Sequence, residues 1–195
     1  VAFQSTQPNL VSADAGGVDD TNGAQDIFVG GGSAPVVMVS VNREGKNGGD
    51  GSSREPAISR NARHVAFFST ASNLVKVDGN GLEDIFVHDL KKRVTTLVSL
   101  SRTDPLTGSG NAASPGPTSA FGIGNEYQVG PSISDSGRFI AFVSAASDLL
   151  DPAAGVTDTN FSNDVYVFDR DADKDGVFDE PGATATMLVS LNSAG

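Results

Sequence analysis

The chain has 195 residues, with 13 Lys and Arg against 24 Asp and Glu, for a net charge of −11. That length suits one domain or one piece of a modular array, and a 38% hydrophobic share with 11 Phe excludes wholesale disorder. The acidic surplus excludes nucleic acid and anionic membrane as natural partners, and no run of ~18 apolar residues is present to cross a bilayer.

In chain order, the first strand signal is VAFQS at 1–5, followed by Asn9-Leu10, DIFV at Asp26–Val29 and VVMVSV at 36–41. A second unit places Pro56-Ala57-Ile58-Ser59 in front. It then repeats the series as VAFFS at 65–69, Asn73-Leu74, DIFV at Asp84–Val87 and TLVSL at 96–100. The third runs Pro131-Ser132-Ile133-Ser134, IAFVS at 140–144, Asp148-Leu149, DVYV at Asp164–Val167 and MLVSL at 187–191. Each run is short, β-branched or aromatic, and bounded by Gly, Asn, Asp or Ser, which is the pattern of a strand. No segment sustains a helical period, and 23 Gly with 9 Pro point the same way.

A complete unit therefore reads as four strands, PxIS, [VI]AFxS, D[IV][FY]V and LVS[LV]. Four-stranded units in tandem, none able to bury its faces alone, predict an all-β fold of β-propeller blades. A β-solenoid is the second reading, and its coils lack this four-strand grammar. The three antiparallel units span approximately 1–45, 56–100 and 131–191, with the first one incomplete and loop insertions at 101–130 and 170–183.

The series P-x-I-S-x-x-G-R-x-I-A-F, then D-[IV]-[FY]-V-x-D and LVS, resembles the TolB-type β-propeller repeat, especially its secreted bacterial versions. The third unit fits best, and the second has Asn61-Ala62 where the family usually has Asp-Gly before Arg63. The resemblance implies a propeller fold and an extracytoplasmic setting, secreted, cell-surface or periplasmic. It implies no single activity. Because the first unit starts at its second strand, the chain reads as part of a longer protein or of an oligomer whose copies complete the ring.

The clearest constellation for chemistry lies between the second and third strands of every unit. Asp20-Asn22-Asp26, Asp78-Asn80-Asp84 and Asp158-Asn160-Asp164 all read D-x-N-x-x-x-D. Oxygen ligands at these offsets suit Ca²⁺, which accepts 6–8 oxygens in flexible geometry. The same residues equally suit turns, where Asx side chains bond nearby backbone N–H groups. A second acidic loop, Asp171-x-Asp173-x-Asp175-Gly176 followed by Asp179 and Glu180, follows the first nine positions of a calcium loop. It has Gly182 where a bidentate Glu would stand. Of 24 acids, 19 are Asp and 5 are Glu, which favours turns and hard-cation ligation over helix.

Signals for catalysis are poor. His64, placed before a strand, and His88, within one, read as packing residues, and no nucleophile elbow, zincin or P-loop motif occurs. Without Cys, disulfides and thiolate chemistry are excluded. Asn160-Phe161-Ser162 is a glycosylation sequon, and Phe121 and Tyr127 stand in the Gly/Pro/Ser-rich insertion. The sequence thus predicts a non-enzymatic, calcium-stabilised extracellular module for binding, structure or self-assembly, with a protein, a glycan or its own copies as partner. The alternative is the propeller portion of a larger secreted hydrolase or lyase whose catalytic residues lie outside this chain.

Overall fold

The computed structural model describes residues 1–11, 18, 20–104, 108–114, 130–160 and 162–191. Eleven strands fall into three antiparallel sheets. The first sheet has β1 (Ala2–Ser5), β2 (Asp26–Gly31) and β3 (Ala34–Met38) in that order. The second has β4 (Ser53–Ile58), β5 (His64–Ser69), β6 (Asp84–Asp89) and β7 (Val94–Leu97). The third repeats it with β8 (Ser132–Ile133), β9 (Phe139–Ser144), β10 (Asp164–Asp169) and β11 (Ala185–Leu188). All three are simple meanders, and among the described residues they do not close into a barrel or ring. Among the described residues helix is confined to a 3₁₀ turn, Pro152–Ala154, capped by the Asp151 side chain.

Equivalent residues follow from the registers. Asp89 pairs with Val94 as Asp169 pairs with Ala185, and Phe67 pairs with Phe86 as Phe142 pairs with Tyr166. Because side chains alternate across a strand, each sheet offers one set of apolar residues to its predecessor and another to its successor. Ile27, Val29 and Val39 of the first sheet pack against Val65, Phe67 and Phe86 of the second. On the opposite face Phe68, Ile85 and Val87 pack against Ile140, Phe142 and Tyr166 of the third. The middle sheet is therefore a filled layer, with every residue of β5 and β6 buried. Strand β4 lies against β1 and β2, and β8 lies against β4 and β5.

Three sequence expectations shift. His64 opens β5 instead of preceding it. The PxIS strand of the second unit begins earlier, at Ser53, with a register shift between Arg54 and Ala57. The LVS strands end at Met38, Leu97 and Leu188. After each, one further backbone bond continues the pairing, as in Val98 N to Ile85 O at 2.8 Å. Then a serine side chain takes over. The insertion residues Phe121 and Tyr127 lie outside the described residues, as does Phe161 of the sequon.

Candidate functional site

The last aspartate of each D-x-N-x-x-x-D loop opens the third strand of its unit and is buried, as Asp26, Asp84 and Asp164. Its partner is the serine of the LVS run. Ser40 Oγ donates to Asp26 Oδ1 at 2.5 Å and Ser99 Oγ to Asp84 Oδ1 at 2.5 Å, and Ser190 bonds Asp164 in the same way. Each hydroxyl also accepts the next backbone N–H, from Ile27 at 2.9 Å, Ile85 at 3.1 Å and Val165 at 3.0 Å. This clamp closes the end of the strand pair where the backbone ladder stops. Its signal in the sequence is the constant serine of VVMVSV, TLVSL and MLVSL, which periodicity alone reads as a strand residue.

The asparagine joins the loop to the next unit. Asn22 Nδ2 donates to Asp26 Oδ2 at 2.8 Å and to Gly49 O at 2.7 Å, while its Oδ1 accepts from Ala24 N at 2.7 Å. Asn80 repeats this with Asp84 Oδ2 at 2.8 Å, Gly110 O at 2.9 Å and Leu82 N at 2.7 Å. Both amide N–H donors of each side chain are thus taken up by the protein, and each amide oxygen accepts one backbone N–H. The linker segments that carry Gly49 and Gly110 are pinned from the other side too. Asp50 N donates to Asn73 Oδ1 at 3.1 Å, and Asn111 N to Asp148 Oδ1 at 2.8 Å.

In the third unit the stitch is half made. Asn160 Oδ1 accepts from Ser162 N at 2.9 Å, and Asp158 Oδ1 accepts from Asn160 N at 3.2 Å. Tyr166 donates its hydroxyl to Asp158 Oδ2 at 2.6 Å. Asp164 Oδ2, however, is buried without a hydrogen-bond partner among the described residues.

Burial governs the protonation of these acids. It raises the pKa of Asp20, Asp26 and Asp78. It pushes Asp84 up to about 7, with the Ser99 bond opposing and the nearby Asp78 charge adding. Tyr166 is raised by burial and by its bond to Asp158.

The acidic loop of the third unit brings Asp171, Asp173 and Asp175 together, with one carboxylate oxygen from each within 4.8 Å of the others. Asp171 is buried and Asp173 and Asp175 are exposed. Asp171 Oδ1 accepts from Gly176 N at 3.2 Å, and Gly176 takes the left-handed φ of +89° that the sharp turn needs. Glu180 stands close enough that, after burial, Asp175, Asp173 and Asp171 together raise its pKa. Asp179 is drawn elsewhere. It accepts both nitrogens of a fork from Arg170, with Nε to Oδ1 at 2.8 Å. The Arg170 side chain is 1% exposed and also donates from Nη1 to Gly137 O at 2.8 Å.

The loop is thereby anchored on the end of the second sheet. The Arg170 guanidinium lies 5.0 Å from the centroid of the Phe178 ring, which packs 5.5 Å from His64. Burial lowers His64 to about 4, so it is a neutral packing residue at physiological pH. His88 is lowered to about 4 by burial as well, and its Nδ1 lies 2.9 Å from Thr95 Oγ1.

No model of a known protein family matches the chain, and no curated protein matches it significantly.

Proposed function

We propose that the chain is a segment of a TolB-type β-propeller, acting outside the cytoplasm as a non-enzymatic module that associates with further repeats and is fixed by calcium. The observation that carries this reading is the outer face of the third sheet. Positions Ile27, Val29 and Val39, and again Ile85, Val87 and Val98, are covered by the following sheet. The equivalent Val165 and Val189 are 40% and 56% exposed, and the buried Asp164 oxygen beside them has no partner among the described residues. An apolar face with an unfilled polar group at its rim is what docking of another such unit would cover.

Calcium enters at Asp171, Asp173 and Asp175. Three clustered carboxylates with Glu180 close by suit a cation that takes carboxylate and backbone oxygens in flexible geometry, and a bound cation would relieve their mutual repulsion.

Two measurements test the reading. Sedimentation velocity over a concentration series is expected to reveal association that Val189→Asp abolishes. A monomer throughout would remove the association role. Thermal melts after chelation should rise on adding Ca²⁺, by ~2.7 kcal/mol at a hundredfold excess over Kd, and Asp173→Ala should erase the rise. An unmoved melt would remove calcium and leave the scaffold.

A further inference from the structure

A groove of about 450 Å³ opens where the exit of the first sheet meets the second. Its walls come from the residues after β3, the loop after β5 and the start of β7. The groove's size is that of a small-ligand site. Its apolar floor includes Leu74, Val75 and Val94, and its rim carries Arg43, Lys76 and Arg93. In a chain with 24 acids to 13 bases, none of these three cations makes an ion pair among the described residues. The lining holds one acid, Glu44, which is in an ion pair with Lys46 at 3.5 Å.

The repeat supplies an internal comparison. Arg43 N donates to Asn73 O at 2.9 Å, and Arg102 N donates to Asp148 O at 2.8 Å, so Arg43 and Arg102 are equivalent. Three residues beyond those carbonyls stand Lys76 at one seam and Asp151 at the other. One residue before the equivalent Val94 and Ala185 stand Arg93 and Thr184. At the second seam Arg102 is satisfied by the protein itself. Its Nη2 donates to Thr184 Oγ1 at 3.1 Å, its guanidinium lies 6.0 Å from the Phe168 ring centroid, and Asp151 is close enough to support its charge. At the first seam the same three positions hold three positive charges, none of them ion-paired among the described residues.

We propose that this first groove binds a small organic polyanion carrying two or more carboxylates on a compact aliphatic frame. Two guanidinium forks and one ammonium suit separated carboxylates. The aliphatic floor suits a carbon frame better than a bare inorganic ion. Among the described residues the lining has no aromatic ring on which a neutral sugar or a base would stack. None of the groove's lining residues belongs to the acidic loop or to the association face.

The test is calorimetric titration with citrate, and separately with inorganic phosphate, in calcium-free buffer at low salt. The variants are Lys76→Asp/Arg93→Thr, which gives the groove the residues of the second seam, and Arg60→Glu as a surface-charge control. Expected are saturable one-site citrate binding, much weaker phosphate binding, and a loss of about tenfold or more in the double variant. The control is expected to match the wild type, and unchanged melting curves will show that both variants fold. Absence of saturable citrate binding overturns the proposal, as does equal affinity for phosphate or an undiminished affinity in the double variant.

Discussion

Asn80 donates to Asp84 Oδ2 at 2.8 Å with one amide hydrogen and reaches Gly110 O at 2.9 Å with the other, so one side chain closes its own loop and fastens the next unit. Asn80→Ala would leave two acceptors unanswered and is expected to cost about 1–3 kcal/mol. Asn160 occupies the same place in the third unit, where Asp164 Oδ2 has no partner, so Asn160→Ala should cost under about 0.5 kcal/mol. Urea denaturation of the two variants measures the difference, and equal losses would deny the stitch its energetic role.

Arg170 is 1% exposed and forms its ion pair with Asp179. Asp179→Asn is expected to destabilise the protein by about 3–5 kcal/mol, because it strands a buried cation. The same substitution should leave any calcium response of the Asp171, Asp173 and Asp175 cluster intact in a protein that remains folded. Loss of the metal response with little loss of stability would place Asp179 among the ligands.

Ala62 holds a left-handed φ of +53° where the third unit has Gly137 at +84°. Relief of the Cβ strain makes Ala62→Gly stabilising by about 1 kcal/mol. The reverse change at Gly137 meets His64, since a Cβ there would lie 2.2 Å from its Nδ1. Gly137→Ala is therefore expected to destabilise by about 2 kcal/mol or more. A pair of thermal melts decides both signs.

Stability should depend on pH through groups of opposite sign. His64 and His88 are lowered by burial to about 4, whereas the unfolded chain takes up these protons near 6.5. Their contribution is present above about 6.5 and is lost as pH falls to about 4. Asp84, raised by burial to about 7, holds a proton that the unfolded chain releases near 3.9, so its contribution fades as pH rises from about 4 to about 7. His64→Phe, which copies Phe139 of the third unit, should flatten the acid side by up to about 1.4 kcal/mol per pH unit. Carboxyl ¹³C titration should find Asp84 near 7, and a midpoint near 4 would contradict its burial.

Strand number and order were legible because every unit spells the same landmarks, and the three strands of the first sheet were legible from the lack of a PxIS run before VAFQS. The pairing of Asp84 with Ser99 was within reach, since both recur at fixed offsets, yet the serine sits inside an apolar run and reads as part of it. What the amides of Asn22 and Asn80 do was not legible, because Asp-x-Asn serves a turn and a cation equally until the position of the linker carbonyl is known. Asp179 fits a ligand position by spacing, and its pairing with the buried Arg170 is not legible there, because only the fold brings that guanidinium onto both carboxylate oxygens. The cations at 43, 76 and 93 are scattered along the chain and meet only when two sheets do.

The linkers carry a consequence for how such a protein grows. Gly49 answers to Asn22 of the unit before while its neighbour Asp50 answers to Asn73 of the unit after, and Gly110 and Asn111 are shared in the same way between Asn80 and Asp148. The middle repeat thus carries one half of a fastener at either end. A gene duplication copying a single repeat would copy both halves, and the newcomer could engage its neighbours without any new residue being invented. Array length is then free to change by whole units, while a cut within a unit would leave a strand and its fastener on different pieces.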